Sequence, residues 1–377
     1  MPSGQGPDIQ TATVNRPTIG IAIVTYRREQ VLRRTLESWR RSNRKPEQFI
    51  VVDASPDAQE QRARVLAEFA DLFAGRGSTY VVASQPSISA QRNLALEVVQ
   101  TDVILFADDE SMPEQEFLDR IAEVYMLDEN GVIGGVGGTE RDEETVSARV
   151  RLYLGDLGRH FARSFATTSG QAFPITVRLP SSVRRLPVRR VRNLPGGRMS
   201  LRRHLAVAQR FDERMQRFSY CEDLDISIRI GRTHLLLERT DAYVRHDESP
   251  VARVGTNQNF LVRWINPAYL TEKLLPQESN RRSLNRLLVL SRTRASIVSR
   301  FSRDGGRQRR VDELYGVASE MISFLRAGDP RKLGDRFVAL QNLIFRESQD
   351  AELGSLSRFR RWQEETLERL QSDRTTP

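Results

Sequence analysis

The chain has 377 residues, of which 39% are hydrophobic and 28% charged, a composition typical of a globular protein rather than a disordered one. Its single cysteine, Cys221, excludes an internal disulfide framework and favours a reducing compartment. A net charge of +9 and a pI near 10.1 favour anionic partners such as nucleotide phosphates, nucleic acid or an anionic membrane surface. Because no apolar stretch is long enough to span a membrane and residues 1–16 lack a signal-peptide core, we expect a cytoplasmic protein.

Strand and helix signals alternate from residue 18 onward. Short apolar runs predict strands at 19–25, 49–52, 80–83 and 103–107. Between them, apolar residues at helical spacing predict amphipathic helices. This alternation predicts an α/β fold with a doubly wound, mostly parallel sheet.

Three consecutive acids, Asp108, Asp109 and Glu110, follow the fourth predicted strand directly. They therefore lie at the carboxyl end of a central strand, where open α/β sheets bind ligands. Adjacent carboxylates repel one another unless a cation lies between them, and hard divalent metals prefer oxygen ligands. The residues that follow predict a helix, with Ser111 as the N-cap and residues 113–114 in the first turn. The alternative to a metal site is a solvated acidic turn that caps this helix.

The rest of the chain is less regular. Residues 1–17 are polar and predict a disordered lead-in. The run at 134–138 lacks the spacing of a dinucleotide-binding loop and predicts a glycine-rich strand at a sheet edge. Residues 140–195 are arginine-rich and irregular, which predicts a long mobile loop.

From residue 276 the sequence becomes helical and basic, which predicts a C-terminal helical appendage. Its apolar stripe includes Leu284, Leu287, Leu288, Ile297 and Phe301. Most such stripes are core, so we expect it to pack on the rest of the chain or on a second copy in a homo-oligomer. The flanking arginines keep a peripheral contact with an anionic membrane surface as the alternative.

Five polar segments fall at predicted strand ends or helix starts, at 25–28, 53–55, 91–93, 108–110 and 221–225. Each is a weak signal by itself. An aspartate after a strand is usually a helix cap, and a cluster of acids is favourable at a helix N-terminus whatever its function. The whole set, in this order, is much more specific.

This set resembles the family 2 inverting glycosyltransferases, which have the nucleotide-sugar-binding GT-A fold. The matching stretches are IAIVTYRR, FIVVDAS, SAQRNLAL, LFADDESMP, NLPGGRMSLRR and FDERMQRFSYCEDLDISIR, followed by VRHDES. The resemblance divides the chain into a lead-in at 1–17, a nucleotide-sugar-binding half at 18–130, an acceptor-binding half at 131–275 and the basic helical region at 276–377.

The resemblance also implies a donor site. Asp53 would accept a hydrogen bond from a pyrimidine ring N–H, and Arg92 would approach the base or the diphosphate. Asp108 would lie nearer the ribose. The implied donor-binding residues are Thr25, Tyr26, Arg27, Asp53, Arg92 and Asp108.

The acidic triplet resembles the DxD motif that holds Mn²⁺ or Mg²⁺ on the sugar diphosphate. Asp109 is the first expected ligand, and Glu110 is the alternative because the family often has aspartate at that position. The resemblance implies that His246 ligates the metal or contacts the diphosphate. Arg198 stands where the family usually has a small or amide residue, which leaves the acceptor open.

For the acceptor side, the resemblance points to Asp223 as the general base that deprotonates the acceptor hydroxyl. Glu222 and Asp225 would position the acceptor or the base. Without the resemblance, a capped helix N-terminus would be the better interpretation of this cluster. Which acceptor it serves, whether a glycan, a lipid-linked glycan or a small molecule, is left open.

The implied function is an inverting glycosyltransferase that uses a UDP- or dTDP-sugar. One alternative is a nucleic-acid-binding protein, suggested by the pI and the arginine-rich C-terminal region. Against it, the basic residues are scattered, aromatics are few and no nucleic-acid-binding motif is recognisable. The other alternative is a GT-A-like nucleotidyltransferase, which would not need the acids at 222–223.

Overall fold

A computed structural model of the protein describes residues 16–141, 177–217, 219–247, 255–274, 278–300, 305–346 and 356–372. Most of the predicted lead-in and residues 142–176 of the predicted loop lie outside these ranges. No helix in the part of the chain that the structure describes is long and apolar enough to cross a membrane.

A mixed sheet forms the centre of the fold. Its strand order is β3-β2-β1-β4-β8-β6-β9-β5, with β7 paired to β9. Strands β1 to β4 pair in parallel, β8 runs antiparallel between β4 and β6, and β6 pairs in parallel with β9. The strands are β1 Ile19–Thr25, β2 Gln48–Asp53, β3 Thr79–Val82, β4 Val103–Asp108, β5 Ser111–Pro113, β6 Ile133–Glu140, β7 Val188–Arg190, β8 Arg198–Arg202 and β9 Leu235–His246.

Helices cover both faces of this sheet and form a separate layer at the C-terminus. The predicted α/β class with a C-terminal helical appendage is therefore confirmed. The described helices are α1 Glu29–Arg40, α2 Ala58–Glu68, α3 Ile88–Val98, α4 Phe117–Met126, α5 Arg203–Gln209, α6 Glu222–Gly231, α7 Thr256–Leu274, α8 Glu278–Arg300, α9 Gly305–Arg326, α10 Leu333–Arg346 and α11 Leu356–Ser372.

Strand β4 shows why its sequence is an unbroken apolar run. Val103 and Leu105 belong to one hydrophobic core, with residues of α1 and α4, whereas Ile104 and Phe106 belong to the core that includes α3. A strand covered by helices on both faces has no solvent-facing side, so its side chains need not alternate with polar ones. Asp108 is the last residue of β4, so the acidic triplet lies at the carboxyl end of this central strand.

The helix predicted to begin at Ser111 begins instead at Phe117, so the predicted N-cap was wrong. Residues 111–113 form β5, which pairs antiparallel with the end of β9. Pairing between segments far apart in the sequence has overridden a local capping signal. As a result Ser111 lies opposite His246 rather than at a helix start.

The glycine-rich run was correctly predicted as a strand, but it lies inside the sheet rather than at its edge. Strand β6 pairs with β8 on one side and β9 on the other. Its glycines allow close packing, since a Cβ on Gly138 would collide with the Phe117 ring and lie 2.8 Å from the Ala242 carbonyl oxygen.

The C-terminal helices pack on the rest of the chain. Leu284 and Leu288 of the predicted stripe are buried in a core that includes α7 and part of α6, and the Tyr269 and Phe337 rings stack 3.8 Å apart. The Ile297 side chain and Phe301 lie outside the described residues. On the outer face of α8, Val289 and Leu290 are 62% and 66% exposed.

Replacing Gly138 with alanine should lower the free energy of unfolding by about 1–3 kcal/mol, because the added methyl overpacks the contact with Phe117. Gly137→Ala is the matched control, since its Cβ would most closely meet the end of the Leu194 side chain, at 3.1 Å. Urea denaturation of both variants checks this, and equal destabilisation of the two would contradict it.

Candidate active site

A cavity of about 180 Å³ opens at the carboxyl ends of β1 and β4. Thr25 ends β1 and Tyr26 follows it, Asp108 ends β4 and is followed by Asp109 and Glu110, and α3 contributes Ile88 and Gln91. The structure thus brings several predicted residues to the edge of the sheet where open α/β folds bind ligands.

Asp109 lies at the base of this cavity and is almost fully buried. Its carboxylate accepts a hydrogen bond from Thr25 Oγ1 at 2.7 Å and pairs with Arg28 Nη1 at 3.1 Å. Burial raises the pKa of Asp109 to about 6, although Arg28 and Thr25 act to lower it. Its two oxygens are therefore already engaged by the protein.

Glu110 shares Arg28 with Asp109 and also contacts His246. The distance from His246 Nε2 to Glu110 Oε1 is 3.1 Å, and Arg28 Nη1 lies 3.4 Å from the other carboxylate oxygen. The β5–β9 pairing makes this contact possible between residues distant in sequence. Burial alone would lower the pKa of His246, but the hydrogen bond to Glu110 and the charge of Asp108 outweigh it and raise the pKa.

The Glu110–His246 pair supplies one oxygen and one nitrogen, a donor set that Mn²⁺ accepts and Mg²⁺ accepts less readily. Among the described residues no group of three or more His, Cys, Asp or Glu side chains is arranged to hold a metal ion. The pair therefore fits a cation that takes its remaining ligands from a bound diphosphate or from water.

Arg92 is the most deeply buried cation of the site, with only 2% of its side chain exposed. Its guanidinium pairs with Glu222 at 2.7 Å and with Asp108 at 3.3 Å, and it lies over the rings of Phe106 and Phe211. In this position Arg92 does not line the cavity as the expected base or diphosphate contact. It joins the end of β4 to the start of α6.

Two glycines between β7 and β8 leave room for the Arg92 guanidinium and the Asp108 carboxylate. A Cβ on Gly196 would lie 2.6 Å from Arg92 Nη2, and one on Gly197 would lie 2.5 Å from Asp108 Oδ2. The turn therefore requires glycine at both positions, since any side chain would displace the guanidinium or the carboxylate.

Asp223 lies in the first turn of α6 and is partly exposed. It accepts hydrogen bonds from the backbone N–H of Gly196 at 3.0 Å and of Leu224 at 2.7 Å. Burial raises the pKa of Asp223 above its usual range, and burial together with the neighbouring Asp223 raises the pKa of Glu222 to about 7. A partly exposed carboxylate with a raised pKa is suited to accept a proton.

Asp225 does not face the site. It is fully buried, and it pairs with Lys273 Nζ at 2.7 Å and with Arg229 Nη2 at 2.5 Å. The helical period explains this, because a residue two positions after Asp223 lies on the opposite side of α6. The structure gives Asp225 a role in fixing α6 to α7 in place of the predicted role toward the acceptor.

Asp53 is also turned away from the cavity and is fully buried. Its carboxylate accepts hydrogen bonds from the Ser55 backbone N–H at 2.8 Å, from Ser55 Oγ at 2.5 Å and from the Tyr80 hydroxyl at 2.7 Å. The expected contact with a pyrimidine ring is therefore not available to this carboxylate in the structure.

Arg28, rather than the expected Arg27, contacts the acidic residues of the site. Arg27 is exposed, has a positive φ of 56° and donates its backbone N–H to Ser55 Oγ. Arg28, which was not singled out from the sequence, pairs with Asp109 and Glu110. The only sequence signal for it was its position in the stretch after β1.

Arg198, at the start of β8, contacts two residues of the neighbouring strand β6. It donates to the Gly138 carbonyl at 3.1 Å and pairs with Glu140 at 3.0 Å. Gln91 and Arg217 also line the cavity without having been predicted. Both lie in stretches that carry the family resemblance, Gln91 in SAQRNLAL and Arg217 in FDERMQRFSYCEDLDISIR, so their position in those stretches was the signal that could have found them.

Residues 20–181 match the sequence model of Glycosyl transferase family 2. The chain contains a family 2 glycosyltransferase domain. This assignment confirms the predicted family and favours glycosyl transfer over nucleic-acid binding and nucleotidyl transfer. The matched range includes the acidic triplet and Arg92, whereas Asp223 and His246 lie beyond it. No curated protein sequence matches the chain.

Several solved structures are similar to this glycosyltransferase at low identity. One is the mannosyltransferase PcManGT from Pyrobaculum calidifontis in complex with GDP-Man and Mn²⁺, at 13% identity and a TM-score of 0.49, covering 88% of each chain. Another is S. aureus TarS, at 14% identity and a TM-score of 0.48, covering 92% of this chain and 55% of that chain. A third is glucosyl-3-phosphoglycerate synthase from Mycobacterium tuberculosis in complex with Mn²⁺, UDP-Glc and phosphoglyceric acid. Its identity is 15% and its TM-score 0.45, and the match covers 68% of this chain and 79% of that chain.

Asp53→Asn should lower the free energy of unfolding by about 1–3 kcal/mol, because it replaces a carboxylate that accepts three buried hydrogen bonds. Nucleotide affinity of the folded variant should stay within about threefold of wild type, since the side chain does not line the cavity. Chemical denaturation and calorimetric titration with UDP check this. Asp57→Asn, an exposed change in the same connection, is the control, and a stable Asp53 variant that no longer binds UDP would contradict it.

Proposed function

We propose that this glycosyltransferase is an inverting enzyme that moves a sugar from a UDP- or dTDP-sugar to an acceptor hydroxyl by metal-assisted single displacement. The observation that carries the proposal is the short connection between two sets of carboxylates. Asp223 is bonded to Gly196, and Gly197 packs against Asp108 at the donor cavity. A base on one side and a diphosphate-binding edge on the other are what in-line displacement requires.

The donor nucleotide would occupy the cavity at the ends of β1 and β4. Tyr26, Pro86 and Ile88 provide an apolar wall suited to a base, and the acids lie at the other end of the lining. Thr25 would act through Asp109, to which its hydroxyl is bonded. Asp108, which is partly exposed, is the carboxylate best placed to accept from ribose hydroxyls.

Glu110 and His246 would hold the divalent cation, because together they offer an oxygen and a nitrogen ligand at one place. Asp109, whose carboxylate is bonded to Thr25 and Arg28, would have a supporting role. A bound cation would neutralise the negative charge that develops on the leaving diphosphate. Arg28 lies beside the same carboxylates and would add a fixed positive charge there.

Asp223 would accept the proton of the acceptor hydroxyl as that oxygen attacks the anomeric carbon. The two backbone N–H groups that bind its carboxylate fix its orientation, and each oxygen keeps a free lone pair for the proton. Glu222 would hold Arg92 in place, and Arg92 in turn holds Asp108. The proposed base and the end of β4 are thereby held in a fixed position relative to each other.

A screen of sugar nucleotides with Mn²⁺, followed by mass spectrometry of the released nucleotide, tests the proposed activity. We expect release of UDP or dTDP in the presence of an acceptor and an inverted anomeric configuration in the product. Release of a sugar 1-phosphate, with the nucleotidyl group transferred to another phosphate, would indicate nucleotidyl transfer and contradict the proposal.

Glu110→Ala and His246→Ala should each raise the Mn²⁺ concentration needed for half-maximal activity by at least about tenfold, because each removes a proposed ligand. Glu60→Gln, a change at an exposed carboxylate, is the control. Activity measured across a Mn²⁺ titration checks this. Full activity of the wild type in excess chelator would contradict the metal assignment.

Asp223→Asn should lower the transfer rate by about 10²–10⁴-fold, the range for loss of a general base, and leave UDP–Mn²⁺ affinity nearly unchanged. Single-turnover transfer and calorimetric titration separate the two effects. Asp241→Asn, at a carboxylate outside the cavity, is the control. Near-normal transfer by the Asp223 variant would place the base elsewhere.

The transfer rate should fall as the pH drops through about 7, because Glu222, with its pKa raised to about 7, gains a proton there and its ion pair with Arg92 weakens. The pKa of the proposed base Asp223 is also raised, so this carboxylate gains its proton at a higher pH than an ordinary aspartate does. A protonated base accepts no proton, so activity is present above this range and lost below it. A pH–rate profile with a saturating sugar nucleotide checks this. A flat profile from about pH 5.5 to 8 would contradict it.

A further inference from the structure

The segment between α5 and α6 forms one wall of the donor cavity and is shaped by unusual backbone. Arg217 lines the cavity, and its φ is 52°. This left-handed conformation is disfavoured for a long side chain, and it persists only where the surroundings impose it. Such positions are frequent at functional sites.

The backbone around Arg217 is tied to the first turn of α3. Its carbonyl oxygen accepts hydrogen bonds from the Ile88 N–H at 3.1 Å and from the Ser219 N–H at 2.9 Å. Ile88 lines the same cavity. The conformation of Arg217 is thus fixed relative to the proposed base-binding wall.

The C-terminal helices hold the other side of this segment. The Gln216 backbone N–H donates to Gln341 Oε1 of α10 at 3.3 Å, and Gln341 Nε2 donates to Asn266 Oδ1 of α7 at 2.9 Å. Asn266 in turn donates to the Tyr220 carbonyl at 2.9 Å. A chain of side-chain amides therefore connects the appendage to the cavity wall.

The Arg217 side chain itself rests on the appendage. Its guanidinium carbon lies 5.9 Å from the centre of the Phe345 ring of α10, within the range of a cation–π contact. Among the residues that the structure describes, none of the ion pairs involves Arg217, in contrast to Arg28 with its two carboxylates. The planar donors of Arg217 are available to an oxygen-rich ligand.

We propose that Arg217 is a donor-binding residue and that the C-terminal helices, through Phe345, hold its guanidinium against the nucleotide. The proposal rests on the proposed function, because its ligand is the nucleoside diphosphate of the donor. The appendage is then part of the donor site. It contributes the Phe345 ring, which contacts the Arg217 guanidinium, and the hydrogen-bonded side chain of Gln341, which contacts the backbone next to Arg217.

The test is calorimetric titration of the full chain with UDP in the presence of Mn²⁺. Arg217→Gly removes the side chain but tolerates the positive φ, so the wall keeps its backbone, and UDP affinity should fall by about tenfold or more as charged hydrogen bonds are lost. Phe345→Leu keeps an apolar side chain but no ring face, and should weaken UDP binding by about two- to fivefold.

The double variant Arg217→Gly with Phe345→Leu separates a specific contact from general damage. If Phe345 acts through Arg217, the leucine should have no further effect on UDP affinity once the arginine is absent. Arg263→Ala is the matched control, since its guanidinium lies over Tyr220 in the same region but does not line the cavity, and it should bind UDP as the wild type does.

Wild-type affinity for UDP in Arg217→Gly would overturn the inference and leave the proposed function intact. Additive effects in the double variant would overturn the role of Phe345. A wild-type protein that binds neither UDP nor dTDP with Mn²⁺ would instead overturn the proposed function, and the inference with it.

Discussion

The site depends on one buried guanidinium. Arg92 lies out of water between Asp108 at the end of β4 and Glu222 at the start of α6. A charge buried this deeply is tolerated only when opposite charges compensate it, and the buried Glu222 carboxylate needs the cation for the same reason. The strand end that faces the donor and the helix that carries the proposed base are thus fixed to each other by electrostatics, across the glycine turn at 196–197.

Helix α6 is also constrained from both of its sides. Ile226 and Ile230 belong to the core beneath the sheet, whereas Leu224 and Ile228 belong to the core of the C-terminal helices. Asp225 adds a buried ion pair with Lys273 of α7. A helix packed into two cores has little freedom to rotate or slide, so Asp223 in its first turn keeps a fixed position relative to the turn at 196–197.

The sequence predicted what depends on local pattern and missed what depends on register. Buried strands such as β4 are continuous apolar runs, and their order in the chain was enough to predict the class of fold and the edge where the acids meet. The direction of each side chain was not predictable. Glu110 meets His246, and Ser111 joins a strand, because β9, more than a hundred residues later, pairs with residues 111–113. Arg217 is placed by helices that follow it in the chain, a relation without a local signal.

The antiparallel pairing of β4 with β8 has a consequence for synthesis on the ribosome. By the time Asp108 has been added, β1 to β4 are all present, but the partner of the free edge of β4 begins at Arg198. At about 5–20 residues per second, that partner follows about 5–18 s later. During this interval the acid-bearing strand is the open edge of a parallel sheet, with apolar residues along it. An unpaired edge of this kind is a template for association with other chains. The nascent protein is therefore most exposed to aggregation at the strand that later carries its chemistry.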